Sequence, residues 1–224
     1  MQFNPLAYGG EVAEILQASD ARPLAGLVAS GIPSGAWKRS IHSGRFTQSE
    51  HPHGALSGLW LYLDCFDESH KISQEDPSPE GSLWHAIAHR REPDYSNSKY
   101  WYRQAGTHAV YPQILKAAVQ VSGPGMRLGS TWDPLAFVDF CEEAERHAGG
   151  AAETWALAVQ RAEWEILFDY CARKSPLETS PVGDTARGRR FRGVDRHEVA
   201  EPSAGGGVRQ DRAAQDRRVD DDER

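Results

Sequence analysis

An all-α fold is what this sequence predicts, and three observations carry the expectation. Apolar residues recur at spacings of three and four up to about residue 175 and almost nowhere alternate, the mark of helices that bury one side. Prolines, glycines and capping residues interrupt that periodicity at helix-length intervals. All seven tryptophans lie at or before Trp164, and because a buried aromatic removes about 150 to 250 Å² from water, the core belongs to the same stretch. The expected architecture is a compact multi-helix domain over residues 1–178 that closes in a C-terminal antiparallel helical hairpin, with a disordered tail over 179–224.

In chain order, GGEVAEILQASD predicts a first helix with Val12, Ile15 and Leu16 on one side, and Pro23 opens a short second one through Leu24, Leu27 and Val28. The Gly-, Ser-, Pro- and His-rich stretch from Gly31 to Gly54 is a connection, with His42, His51 and His53 expected in solvent. ALSGLWLYLDCFDESHKISQ reads as one long amphipathic helix: Leu59, Tyr62, Leu63 and Phe66 form its apolar stripe, and Asp64, Asp67, Glu68 and Lys71 its polar side. EDPSPEG ends it. Ser82 is the expected cap of the next helix, which Pro93 stops after Glu92. A further helix starts near Ser96 or Asn97 and closes at Gly106, because glycine adopts the left-handed C-terminal conformation at least cost.

YPQILKAAVQ predicts another helix, and after the loop SGPGMRLGS the pair Asp133-Pro134 supplies a cap and a first-turn proline for a helix burying Phe137, Val138, Cys141 and Ala144. Gly149-Gly150 then turns the chain into AETWALAVQRAEWEILFDYCARK, with Trp155, Val159, Ala162, Ile166 and Tyr170 on the expected buried stripe. So short a turn pairs the last two helices antiparallel.

Composition bounds the partners. Residues 181 to 224 hold ten arginines, ten acidic residues and no Trp, Tyr, Leu or Ile, so the net charge of −7 belongs to the body. A segment so poor in large apolar groups cannot offset its conformational entropy by burial. Two readings of this tail stay open: a charge-cancelled solvated segment, of a composition that a shifted frame of GC-rich DNA also yields, or an arginine-rich arm for an acidic partner. The acidic body argues against nucleic acid as a partner, since phosphate backbones are met by basic surfaces. No run of 18 apolar residues and no leader-like start is present, which predicts neither membrane association nor secretion. Cys65, Cys141 and Cys171 stand singly in apolar helical patterns, as buried thiols of a cytoplasmic protein do. Glycine-loop nucleotide motifs and nucleophile elbows are absent from the sequence.

The stretch WHAIAHRREPDYSNSKYW, residues 84–101, concentrates the chemistry. On a helix, positions four and seven apart return to one face, so His85, His89 and Glu92 share a stripe opposite Leu83, Trp84 and Ile87, with Arg91 at the edge. Two imidazoles one turn apart are a competent pair of ligands for a divalent metal, and a carboxylate three residues on serves as third ligand or general base. His85, His89 and Glu92 are therefore the candidate catalytic and metal residues. Asp64, Asp67 or His70 supplies a further ligand where the preceding helix packs alongside. A second role falls to Arg90, Arg91, Asp94, Asn97 and Lys99, with Arg103 close by, at a helix start, where cations and free N–H groups suit a small anionic molecule and Tyr95, Tyr100, Trp101 and Tyr102 suit a planar one. The alternative is a non-catalytic interaction module in which the same residues form a packing or partner-binding surface. Oligomeric state is not legible.

The string HRREPDYSNSKYWYRQAG, preceded by GSLWHAI, resembles a motif of a family of uncharacterised bacterial and fungal proteins in which His, Arg-Arg-Glu, Asp, Asn and Lys-Tyr-Trp stand in this order. The resemblance covers chiefly residues 56–115. It implies a specific role for the stretch and does not name a reaction.

Overall fold

A computed structural model describes residues 3–18, 24–29, 41 and 46–173. Among them every regular element is helical: a short 3-10 turn at Pro5–Tyr8, then α1 (Gly10–Gln17), α2 (Pro52–Tyr62), α3 (Phe66–Glu75), α4 (Pro79–Arg91), α5 (Tyr95–Ala105), α6 (Tyr111–Gln120), α7 (Pro134–Arg146) and α8 (Ala151–Ala172). The expected tail, Pro23 and His42 lie outside the described residues. No described helix is long and apolar enough to cross a membrane.

α4 is the central element. The sequence predicts a polar side for it, but every residue from Glu80 to Arg91 is buried, because α2, α3 and α5 all pack against it. A helix with no apolar stripe narrower than its circumference belongs inside the fold, and here the enclosed surface includes imidazoles and guanidinium groups. α2 is likewise buried from Gly54 to Tyr62. Its glycines, one turn apart, let α4 and α8 approach: a Cβ on Gly58 would stand 2.6 Å from the Trp84 ring of α4, and one on Gly54 2.9 Å from Cys171 Sγ of α8. Trp84 and Trp164 are fully buried with ring centroids 6.4 Å apart. The Trp164 indole N–H donates to the Gly58 carbonyl at 2.9 Å.

Several expected boundaries move, each for a local reason. The long helix predicted across 55–74 breaks at Leu63–Cys65, where Asp64 takes φ +55 and Cys65 N–H returns to the Trp60 carbonyl at 3.0 Å. Aspartate tolerates this left-handed conformation better than most residues, and the Arg91 guanidinium holds its carboxylate at 2.6 Å. Breaking there lets α3 turn back along α4. Ser78, not Ser82, caps α4 by accepting from Gly81 N–H at 3.0 Å, with Pro79 in the first turn. α5 starts at Tyr95 because Asp94 accepts from Asn97 N–H at 3.1 Å. Leu24 to Ala29 form no helix; Ala29 N–H bonds instead to the Arg91 carbonyl at 2.8 Å, at the end of α4.

The last two helices fall where expected, with the Asp133 cap, the buried Phe137, Val138, Cys141 and Ala144, and Gly149 at φ +83. On α8 the buried stripe is rotated from the expected one. Ala162, Ile166 and Tyr170 are half-exposed, while Gln160, Glu163, Trp164, Leu167 and Phe168 are buried. Hydrophobicity alone assigns Gln160 and Glu163 to solvent; each is buried because it has a partner, the Gly26 carbonyl for Gln160 and Arg90 for Glu163. Cys65, Cys141 and Cys171 are buried and not joined in a disulfide, as expected.

Candidate metal centre

α3 and α4 lie side by side, and their facing turns carry three imidazoles. His70 comes from α3, and His85 and His89 from successive turns of α4. One ring nitrogen from each lies within 4.8 Å of the other two. His70 Nε2 and His85 Nε2 are 3.0 Å apart. The His85 and His89 rings stack at 4.7 Å, and the His70 ring stands nearly perpendicular to both, at 4.5 and 5.0 Å. Trp101 of α5 stacks on His85 at 4.1 Å, and Phe66 tilts against His70 at 5.4 Å.

Burial decides the protonation state. His85 is 2% exposed, and burial pushes its pKa down to about 3, with repulsion from His70 and His89 adding to the effect. His89 is lowered by burial and by His70, against the pull of Glu92 and Asp94. Neutral imidazole is the form that binds metals. The His89 Nδ1 faces Glu92 Oε2 at 3.2 Å and Asp94 Oδ2 at 3.9 Å. A carboxylate behind Nδ1 keeps the hydrogen there and the lone pair on Nε2, the same outer support that metal-ligating histidines receive. That lone pair faces the Asn97 amide at 3.0 Å. The Nδ1 of His85 is buried without a hydrogen-bond partner among the described residues.

The other expected site residues divide. Glu92, its side chain 47% exposed, meets His89 at Nδ1, the ring nitrogen opposite the one that faces Asn97. Asp94 caps α5 beside the same ring. Arg90 is turned into the core, where it donates to Glu163 at 2.5 Å and to the Tyr102 hydroxyl at 2.8 Å and lies 4.7 Å from the Phe137 ring centroid. Tyr102 in turn donates to the other Glu163 oxygen at 2.9 Å. Arg91 donates to Asp64 and, at 3.1 Å, to the Leu61 carbonyl. Lys99 pairs with Asp139 at the surface, 2.7 Å away. Of the expected stacking aromatics, Tyr102 is buried, Tyr95 and Trp101 are half-buried and Tyr100 alone is exposed.

A second polar cluster has no counterpart in the sequence reading. Glu80, in the first turn of α4, lies 3.1 Å from His108 Nε2 and 3.5 Å from His51 Nδ1. His108 Nδ1 accepts from Val110 N–H at 3.3 Å, which places the hydrogen on Nε2, and that hydrogen bond holds the Glu80 carboxyl below its usual range. His51, expected in solvent, is half-buried and stacks on Tyr170 at 5.2 Å; His53 is exposed as expected. These partners are too far apart in sequence for any local pattern to join them.

No protein-family model, no curated protein and no solved structure matches the chain. The site therefore rests on its own geometry.

Proposed function

We propose that this protein binds a divalent first-row metal, zinc in the first instance, through His70, His85 and His89, and that the centre is of the open, reactive kind. One observation carries the reading: three imidazoles, His85 and His89 buried and His70 half-buried, converge within 4.8 Å. Imidazole nitrogen suits zinc, copper, iron and nickel. A closed structural zinc site has four protein ligands, whereas three leave a position for water or substrate. Such a centre polarises a carbonyl or phosphoryl oxygen and lowers the pKa of bound water, so the supported class is metal-assisted hydrolysis or hydration of a small molecule. In this reading Glu92 and Asp94 are positioning residues for His89, and Asn97 gives up its contact with that ring when the metal takes the lone pair.

The anion-holding role expected of Arg90, Arg91 and Lys99 is left out of the proposal, because each already donates to a carboxylate. The interaction-surface alternative is left with one exposed ring, Tyr100. The resemblance to the motif family supports a site here, since His89, Glu92, Asp94, Asn97 and Trp101 of that string surround it, while Arg90 and Arg91 anchor the helix that presents it. We also read α7 and α8 as an antiparallel hairpin at the end of the helical body.

The test is metal content and competition against a chromophoric chelator on the purified full chain. The expected result is one equivalent of zinc, lost in His70→Ala and His85→Ala variants that keep their helical circular dichroism. The absence of stoichiometric binding by zinc, manganese, iron, cobalt, nickel and copper would overturn the reading.

A further inference from the structure

Asn97 meets the nitrogen of His89 that is assigned to the metal, without being a ligand itself. It is half-buried in the first turn of α5, and its side-chain hydrogen bond among the described residues joins Nδ2 to His89 Nε2 at 3.0 Å. The direction of that bond is set from the other end of the ring. Glu92 and Asp94 lie 3.2 and 3.9 Å from His89 Nδ1 and keep the hydrogen there, so Nε2 accepts and Asn97 presents its NH2 group. The helix holds the amide in place: Ser98 donates to the Ala86 carbonyl of α4 at 2.8 Å, and Trp101, one turn on from Asn97, stacks on His85 at 4.1 Å.

A metal on His89 Nε2 takes the lone pair that the amide uses in its absence. The Asn97 N–H is then left next to the ion without an acceptor, and an oxygen held by the ion supplies one. The amide carbonyl is the poorer group for that place, since zinc sites are built from His, Cys, Asp and Glu, whereas neutral carbonyl oxygen suits calcium and magnesium. A fixed N–H beside a metal-held oxygen stabilises negative charge that develops on it.

Charge narrows what that oxygen belongs to. The two carboxylates beside His89 offset a divalent ion, and Arg90, Arg91 and Lys99 are each held by a carboxylate of their own, so none of them is left to face an anionic substrate. Lys71 follows His70 on α3 but is exposed and about 100° round the helix from it. A phosphoryl group needs cations beyond the metal, whereas an uncharged carbonyl needs only the ion and one donor.

We propose that Asn97 is the specificity-determining residue of the centre: its amide N–H holds the oxygen of a neutral carbonyl compound, an amide, ester or aldehyde, at the metal. The proposal rests on the metal reading and narrows it from carbonyl or phosphoryl substrates to carbonyl ones.

The experiment loads the full chain with the metal it binds, zinc in the first instance, and titrates it calorimetrically with acetohydroxamic acid, a neutral carbonyl compound, and with inorganic phosphate. The expected result is saturable binding of acetohydroxamic acid, weakened about tenfold or more in Asn97→Leu. Phosphate should bind the unaltered chain at least about tenfold more weakly than acetohydroxamic acid does. Metal affinity in Asn97→Leu, read by chelator competition, should stay level or rise, because the contact that competes for the His89 lone pair is gone. A merely structural role would lower both affinities together, and Asn97→Ala repeats the measurement where the leucine disturbs the helical circular dichroism. Absence of acetohydroxamic acid binding, a change of less than about threefold in the variants, a metal affinity about tenfold lower in them, or phosphate binding as tight as that of acetohydroxamic acid would overturn the proposal and leave the metal reading standing. An unaltered chain that takes up none of the metals named above fails at the metal reading itself, and this proposal falls with it.

Discussion

Two neighbouring pairs on α4 meet opposite fates. Arg90 and Arg91 are as buried as His85 and His89, yet the arginines end on carboxylates, Glu163 and Asp64, while His85 ends on another base, His70, and the His89 ring packs against that same imidazole. A buried charge matched by a buried countercharge fixes the position of a helix and leaves nothing for a ligand to do. Neutral bases facing one another are different: hydrogen bonds between them use only part of their capacity, which leaves lone pairs for a cation. The first pair is architecture and the second, in the proposed reading, is a site, although His89 and the two arginines are written consecutively as HRR.

The sharpest way to break this comparison is at Glu163. Glu163→Ala leaves Arg90 charged and unpaired in the core, and should cost about 3–5 kcal/mol in urea denaturation. His85→Ala should instead remove metal binding while the protein stays folded. The reverse pattern, a stable Glu163→Ala that loses metal, would exchange the two assignments.

A pH dependence follows in the metal-free protein. His85 has its pKa pushed down to about 3 in the fold, against about 6.5 in an unfolded chain. Between those values the unfolded state binds the extra proton, so stability is full above about pH 6.5 and declines as pH falls toward 3. His85→Leu should flatten that slope in thermal melts recorded across the window.

Gly58→Ala probes the approach of α2 to α4, which brings neither pair into play directly. Its Cβ would stand 2.6 Å from the Trp84 ring, so overpacking should cost about 1–3 kcal/mol by the same denaturation measurement. The smallest effect is expected for Lys99→Ala. Its pair with Asp139 is at the surface, and the loss should be under about 1 kcal/mol.

These contrasts also mark what could be read from sequence. The helices, the caps at Asp133 and Gly106, and the stripe of His85 and His89 follow from periodicity and local chemistry, and His70 is one of three residues, with Asp64 and Asp67, that the sequence offers as a further ligand. Glu92 meets His89 at Nδ1, and which end of that ring it meets is fixed by tertiary packing rather than by spacing. The fate of Arg90 could not be read, because Glu163 lies 73 positions away on a helix whose apolar residues suggested a different buried face. The break at Asp64 was hidden by uninterrupted helical periodicity on both sides of it. Hydrophobic pattern reports burial only for groups that do not need a partner, so paired polar groups inside the core are where it fails.

The central claim is tested most directly by anomalous diffraction at the zinc edge from crystals of the full chain grown with one equivalent of zinc. The account predicts a single strong peak about 2.0–2.1 Å from a ring nitrogen of each of His70, His85 and His89. A peak at other residues, or none at these three, would contradict it.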